Sequence, residues 1–379
     1  MSETVVARFN PDYASKPGDL IAEYLRALDI SARELARRCG RSPKLVSEVI
    51  NGKAPVEPET ALQLERVLDV DASVWLALEA NYRLQERREE EERELEGCED
   101  WLRLFPMRVL QERGWIRPAR TIAERVEQLL RFFGAGSVSA CRDRFDELLE
   151  AEFRTSPTFA SSTEALATWL RIGEVKAKNL SLSDFDRSAF VEALREIRPL
   201  TSCRIEQVIP QIQESCARVG VAFVVEQPFA NVTVSGVSRW LSPRNALIQQ
   251  SLRYRSDDHF WFTFFHECAH LLLHSRKTLF IDVDRGEGNA EPQQEKEAND
   301  WATEFLVPRQ ALDDFIEGFS FDEDEVVGFA GACGVSPGIV VGQLQHRKVV
   351  RFNQLNQLKA RYDWCPGGHH CVSQRETAS

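Results

Sequence analysis

Residues 257–274 read DDHFWFTFFHECAHLLLH, one of the most apolar segments of the chain, yet His266, Glu267, His270 and His274 sit inside it. An ionisable side chain costs several kcal/mol to bury unless it is paired or bound to a metal. The segment therefore demands a compensating partner. His266-Glu267-Cys268-Ala269-His270 has the form H-E-x-x-H. Four residues of helix turn about 400° and rise about 6 Å, so His266 and His270 project from one face and can share one ion. Glu267, one position on, can reach a water at that ion and accept its proton. With 7 histidines in 379 residues, chance would give this pattern with a probability on the order of one percent.

A catalytic zinc site needs a third protein ligand and one open position. His274 lies eight residues beyond His266, about 12 Å further along the helix axis, so one straight helix cannot supply all three ligands. The metzincin continuation is also missing, since Leu273 and Arg276 stand where it has Gly and His. His274 reads instead as a helix-end residue or as a partner to a ligand. A second helix over 292–306, PQQEKEANDWATEFL, offers Glu295 and Glu297 on opposite edges of the stripe Ala298, Trp301, Ala302, Phe305 and Leu306. Periodicity alone does not choose between them.

Around this segment the chain reads as several domains of a mainly α protein with a small α+β part. Its length of 379 residues exceeds one ordinary core, and 43% hydrophobic with 28% charged residues is a globular composition. No run of about 18 apolar residues could span a bilayer, and MSETVVARFNPDY lacks the order of a signal peptide. The expected location is cytoplasmic, with no membrane partner. Nine cysteines without a repeated spacing point to reduced thiols. Cys365, His369, His370 and Cys371 form a short cluster near the C-terminus that is left unassigned.

Residues 1–85 carry short helices with clear punctuation. Ser31 and Glu34 form a capping box, a helix ends near Arg38, Gly40 makes a turn, and Ser42 and Pro43 open a second helix that Gly52 ends. Ala36 permits close packing of the pair, and Val46 and Ile50 should anchor the second helix to the core. Between Arg33 and Lys53, six basic residues against Glu34 and Glu48 give a local +4 in a chain whose net charge is -12. That patch suits double-stranded DNA, with Arg37, Arg38, Arg41 and Lys53 on phosphates and Ser42, Lys44, Leu45 and Ser47 facing the major groove. Residues 86–100, with 9 acids and 3 arginines, read as an acidic linker or a continuing solvated helix. Residues 101–202 form a helical middle region without a chemical motif. Residues 203–361 are α+β and hold the chemistry, and 362–379 form a tail. A fainter copy of the helix-turn-helix spacing, GFAGACGVSPGIVVGQLQ, has its basic residues after the helix instead of along it and reads as structural.

Two resemblances follow. FWFTFFHECAHLLLH with EKEANDWATEFLVP resembles the ImmA/IrrE family of zinc-dependent peptidases over about 203–361, with Ala269 where Gly is common. The resemblance implies a zincin-like fold, Zn2+, and a third ligand at the Glu before Ala-Asn, here Glu297, with Glu295 as the fallback. Residues 17–84 resemble the helix-turn-helix domain of Xre-type repressors, in particular HigA-like antitoxins. Together they imply a DNA-binding regulator, possible as a homodimer on its operator. Its zinc metalloendopeptidase would use Glu267 as general base against a repressor or antitoxin-like protein. The rival expectation is a regulator or antitoxin whose metal-holding domain only senses a ligand.

Overall fold

The computed structural model describes residues 15–153, 163–230, 232–275, 280–283, 293–318, 320–365 and 371–375. The chain divides into two compact units, one holding residues up to Glu99 with Ala119–Glu127, the other Asp100–Pro118 with Gln128 onward.

In the first unit, α1 (Pro17–Ala27), α2 (Ala32–Arg38), α3 (Pro43–Ile50), α4 (Pro58–Leu68) and α5 (Ala72–Glu96) are helices. Ser31 accepts the Glu34 N–H and Ser42 the Leu45 N–H, both at 3.1 Å, which satisfies orphan donors at the starts of α2 and α3. Gly40, at φ 65°, permits the turn between them. Ile21, Leu35, Ala36, Val46, Leu64 and Trp75 make one core. Val49, not Ile50, is the fully buried partner of Val46 on α3, because Ile50 lies where α1 crosses. There the backbone oxygen of Ile50 would sit 2.0 Å from any Cβ at Gly18. The acidic run continues α5 as solvated helix, laced by Arg87 to Glu90 and Glu94.

The second unit takes α6 (Glu99–Leu102) from Asp100 on, α7 (Met107–Glu112), α8 (Ile122–Phe133) from Gln128 on and α9 (Val138–Phe153), and continues with α10 (Thr163–Lys178), α11 (Arg187–Ile197) and α12 (Ile205–Ala217). Four strands follow: β1 (Val221–Val225), β2 (Val234–Trp240), β3 (Ala246–Gln250) and β4 (Phe280–Val283). Their order is β1-β3-β2-β4, with β1 and β3 parallel and β2 antiparallel to both β3 and β4. Val221, Phe223, Val225, Ala246 and Ile248 face the main core, whereas Ala222, Val224 and Leu247 face Ala177 of α10. Both faces are therefore covered. Residues 101–118 and 128–202, read in sequence as a separate middle region, thus belong to the same unit as the sheet.

The helices α13 (Asp257–Leu273), α14 (Gln293–Leu306), α15 (Arg309–Gly318), α16 (Glu323–Cys333) and α17 (Pro337–His346) complete this unit, with a hairpin of β5 (Tyr362–Trp364) and β6 (Val372–Gln374). The faint helix-turn-helix copy is α16–α17. Its second helix buries Val340, Val341, Leu344, Gln343 and Gln345, so it is structural. Cys365 and Cys371, facing each other across the hairpin with Cα atoms 5.4 Å apart, form a disulfide; reduced thiols, expected throughout, hold for the other seven cysteines. His369 and His370 lie outside the described residues.

Candidate metal centre and DNA-reading helix

The helix α13 is held at its N-terminus by buried polar contacts. Ser336 donates to Asp257 at 2.7 Å, and Lys359 Nζ donates to Asp258 at 2.6 Å and to Gln345 at 2.7 Å. A Cβ at Gly338 would meet Asp257 Oδ1 at 2.3 Å, so α17 seats directly on the start of α13. Burial pushes the Asp257 carboxyl up to about 7.

Two turns further along α13, the Nε2 atoms of His266 and His270 lie 2.9 Å apart. Glu295 Oε2 closes the triangle at 3.3 Å from His266 and 3.7 Å from His270. Among the described residues this is the group that could hold a metal ion, its ligand atoms all within 4.8 Å of one another. The donor set fits zinc: two imidazole nitrogens and one carboxylate oxygen converge, with both histidines buried. Burial pushes His270 down to about 4, which keeps it neutral. Burial alone would raise Glu295, but its hydrogen bonds to His266 and His270 hold it far below the ordinary carboxylate range. Glu267, fully buried, lies against β2, where a Cβ at Gly236 would be 2.7 Å from its Oε1 and 2.7 Å from Thr263 Cγ2.

The structure brings Glu295 to the histidines and does not bring Glu297 there. Glu297 is half exposed and reaches His274 Nε2 at 3.2 Å. The reason lies in the buried stripe of α14, Ala298, Ala302 and Leu306. Glu295 is three residues before Ala298 and so continues the stripe that packs on α13, whereas Glu297 is rotated about 200° away from Glu295. His274 lies beside His270, as a partner and not as a member of the triangle.

In the first unit, Arg37 and Arg38 pair with Glu34 at 2.7 and 2.8 Å, and Arg41 pairs with Glu59 at 2.8 Å while donating to Gln63. Hydrogen bonds from Arg37, then Arg38, pull Glu34 down to about 2. Ser42 caps α3, and Leu45 is half-buried against the core. Lys44, Ser47 and Lys53 are exposed. Lys44 stands 3.8 Å from Glu48, and the Ser47 carbonyl accepts from Asn51. The contact set thus divides into arginines already paired with acids and an open edge of α3. Sequence reading did not foresee Glu34 and Glu59 as competitors for those arginines.

The IrrE N-terminal-like domain of the M78 peptidases matches residues 222–345, and a helix-turn-helix domain matches residues 21–75. The uncharacterized HTH-type transcriptional regulator YddM of Escherichia coli is 38% identical over 71 residues, covering 19% of this chain and 76% of the relative. Virulence-associated protein I of Dichelobacter nodosus is 33% identical over 73 residues, 19% of this chain and 68% of the relative. A solved addiction module antidote protein of a HigA family from Coxiella burnetii is 27% identical, covers 22% of this chain and 92% of that chain, and has a TM-score of 0.21. The chain thus belongs with the HTH-type regulators through its N-terminal helix-turn-helix domain, and it carries in addition a C-terminal domain of the IrrE/ImmA type, which holds His266, Glu267 and His270.

Proposed function

We propose that the chain is a cytoplasmic DNA-binding regulator whose C-terminal domain is a zinc-dependent endopeptidase acting on a repressor or antitoxin-like protein. The observation that supports it most is the convergence of His266, His270 and Glu295 beside the fully buried Glu267. His266, His270 and Glu295 would hold the zinc, which when bound would polarise a peptide carbonyl and acidify a water. Glu267 would take the proton and return it to the leaving amine. Gly236, having no side chain, leaves room for that carboxylate against β2.

At the other end, the exposed edge of α3 with Lys44 and Ser47 would face base edges, with Ser42 and Leu45 beside them at the start of the helix. Arg37, Arg38, Arg41 and Lys53 would meet phosphates, the arginines exchanging Glu34 and Glu59 for the nucleic acid. A homodimer would read an inverted repeat with half-sites about one helical turn apart.

The test is proteomics of cells carrying the wild type or Glu267→Gln, which keeps the side chain's size but cannot accept a proton at neutral pH. A protein that disappears with the wild type and persists with Glu267→Gln, at unchanged zinc content, is the substrate. Identical proteomes from the two would leave the metal as a sensing element and end the peptidase reading.

A further inference from the structure

The face of His270 turned away from the zinc triangle carries its own chain of contacts. His270 Nδ1 lies 3.0 Å from His274 Nδ1. His274 Nε2 lies 3.2 Å from Glu297 Oε2, and the other oxygen of Glu297 accepts from Gln293 at 2.8 Å. The chain leaves α13 at His274, whose N–H still bonds the His270 carbonyl at 3.1 Å, and this turn holds the second ring against the first. The His274 side chain is 4% exposed and that of Glu297 47%, so the line runs from the buried triangle to the surface.

We infer that His274 and Glu297 are positioning residues that orient the His270 ring and fix which of its nitrogens faces the metal. The inference rests on the zinc reading above. The proton positions follow from that arrangement alone. If His270 Nε2 offers its lone pair to an ion, its proton sits on Nδ1 and must be donated. His274 Nδ1 accepts it, which leaves the His274 proton on Nε2, donated to Glu297 Oε2. Every member has one role, and a carboxylate at the outer end makes His270 a better donor. Glu297 thereby serves the same ion as Glu295 without touching it.

The test is zinc affinity of the full-length protein, measured by competition with a chromophoric chelator, together with the visible spectrum of the cobalt-substituted form. His274→Phe and Glu297→Ala should each weaken zinc by about 10- to 100-fold and shift the cobalt bands, with the double variant little worse than the weaker single. His274→Gln, which can still accept from His270 Nδ1, should recover part of the loss. Glu295→Ala and His270→Ala should abolish stoichiometric binding. Affinities of His274→Phe and Glu297→Ala within twofold of the wild type, with His270→Ala metal-free, would overturn the positioning role and leave the zinc site standing. Loss in Glu297→Ala as complete as in Glu295→Ala would make Glu297 a direct ligand and also overturn it. Full zinc retained by His270→Ala would instead bring down the parent reading. Because Glu297 is half exposed, its variant separates these outcomes even if a change at His274 disturbs folding.

Discussion

Glu267 occupies the space where a side chain at Gly236 would lie. A Cβ there would also meet Thr263 Cγ2 at 2.7 Å, so any substitution must displace the carboxylate, Thr263 or the strand. Gly236→Ala should therefore lower peptide cleavage by at least about tenfold with zinc content unchanged, at an overpacking cost of about 1–3 kcal/mol in stability. Steady-state kinetics alongside metal analysis checks this; full activity would show that Glu267 can stand elsewhere. The same residue scale shows what the sequence could and could not disclose. The four-residue spacing of His266 and His270 is a property of one helix and was legible. The choice between Glu295 and Glu297 depends on which face of α14 meets α13, and Ala298 and Ala302 decide that only once both helices are placed. The part played by Gly236 was hidden for the same reason, since it belongs to a strand brought to Glu267 from 31 positions away by the fold.

At the scale of elements, α13 depends on what holds its first turn. Asp257 is buried there with its carboxyl pushed up to about 7 from an ordinary 3.8. A raised acid contributes stability that is fully present below about pH 3.8 and lost as pH rises through about 7, because above that the folded state buries a charge. Asp257→Asn can still accept from Asp258 N–H and can donate to Ser336. Thermal melts from pH 5.5 to 8 should show the wild type losing several degrees more than Asp257→Asn; parallel curves would mean that Asp257 titrates normally. In the helix-turn-helix, Glu34 is pulled down to about 2 and stays charged throughout that range. Glu34→Gln should release Arg37 and Arg38, so binding to unrelated DNA tightens and its salt dependence steepens, while Arg37→Ala weakens all sequences alike. Fluorescence anisotropy across a salt series tests this, with an unchanged slope counting against phosphate contact. Helices α2 to α4 were legible because caps and turns are local. Strand β2 was not, because Ser235, Ser238 and Arg239 are buried in it and break the apolar pattern. Arg239 is accommodated there by Glu174 at 3.4 Å and the Leu170 carbonyl at 2.9 Å, partners far away in sequence.

For the whole molecule, the units do not follow the breaks in composition. The first unit does not stop at residue 85, where the acidic run begins, because α5 continues to Glu96 and the Ala123 N–H donates to Glu96 at 3.3 Å. A fragment ending at Glu127 should therefore melt higher than one ending at Gln85, and circular dichroism of the two decides it. The helix-turn-helix and the candidate metal centre nevertheless lie in different units, with Lys44 in one and Glu267 in the other. Glu267→Gln should then keep DNA affinity and zinc while cleavage of the partner protein falls by about two to four orders of magnitude. His270→Ala should lose both zinc and cleavage and keep DNA affinity. In cells the two variants should share one phenotype, an intact partner protein and a silent target operon. If Glu267→Gln restores normal regulation where His270→Ala fails, the metal serves recognition and not hydrolysis, and the regulator works by binding alone.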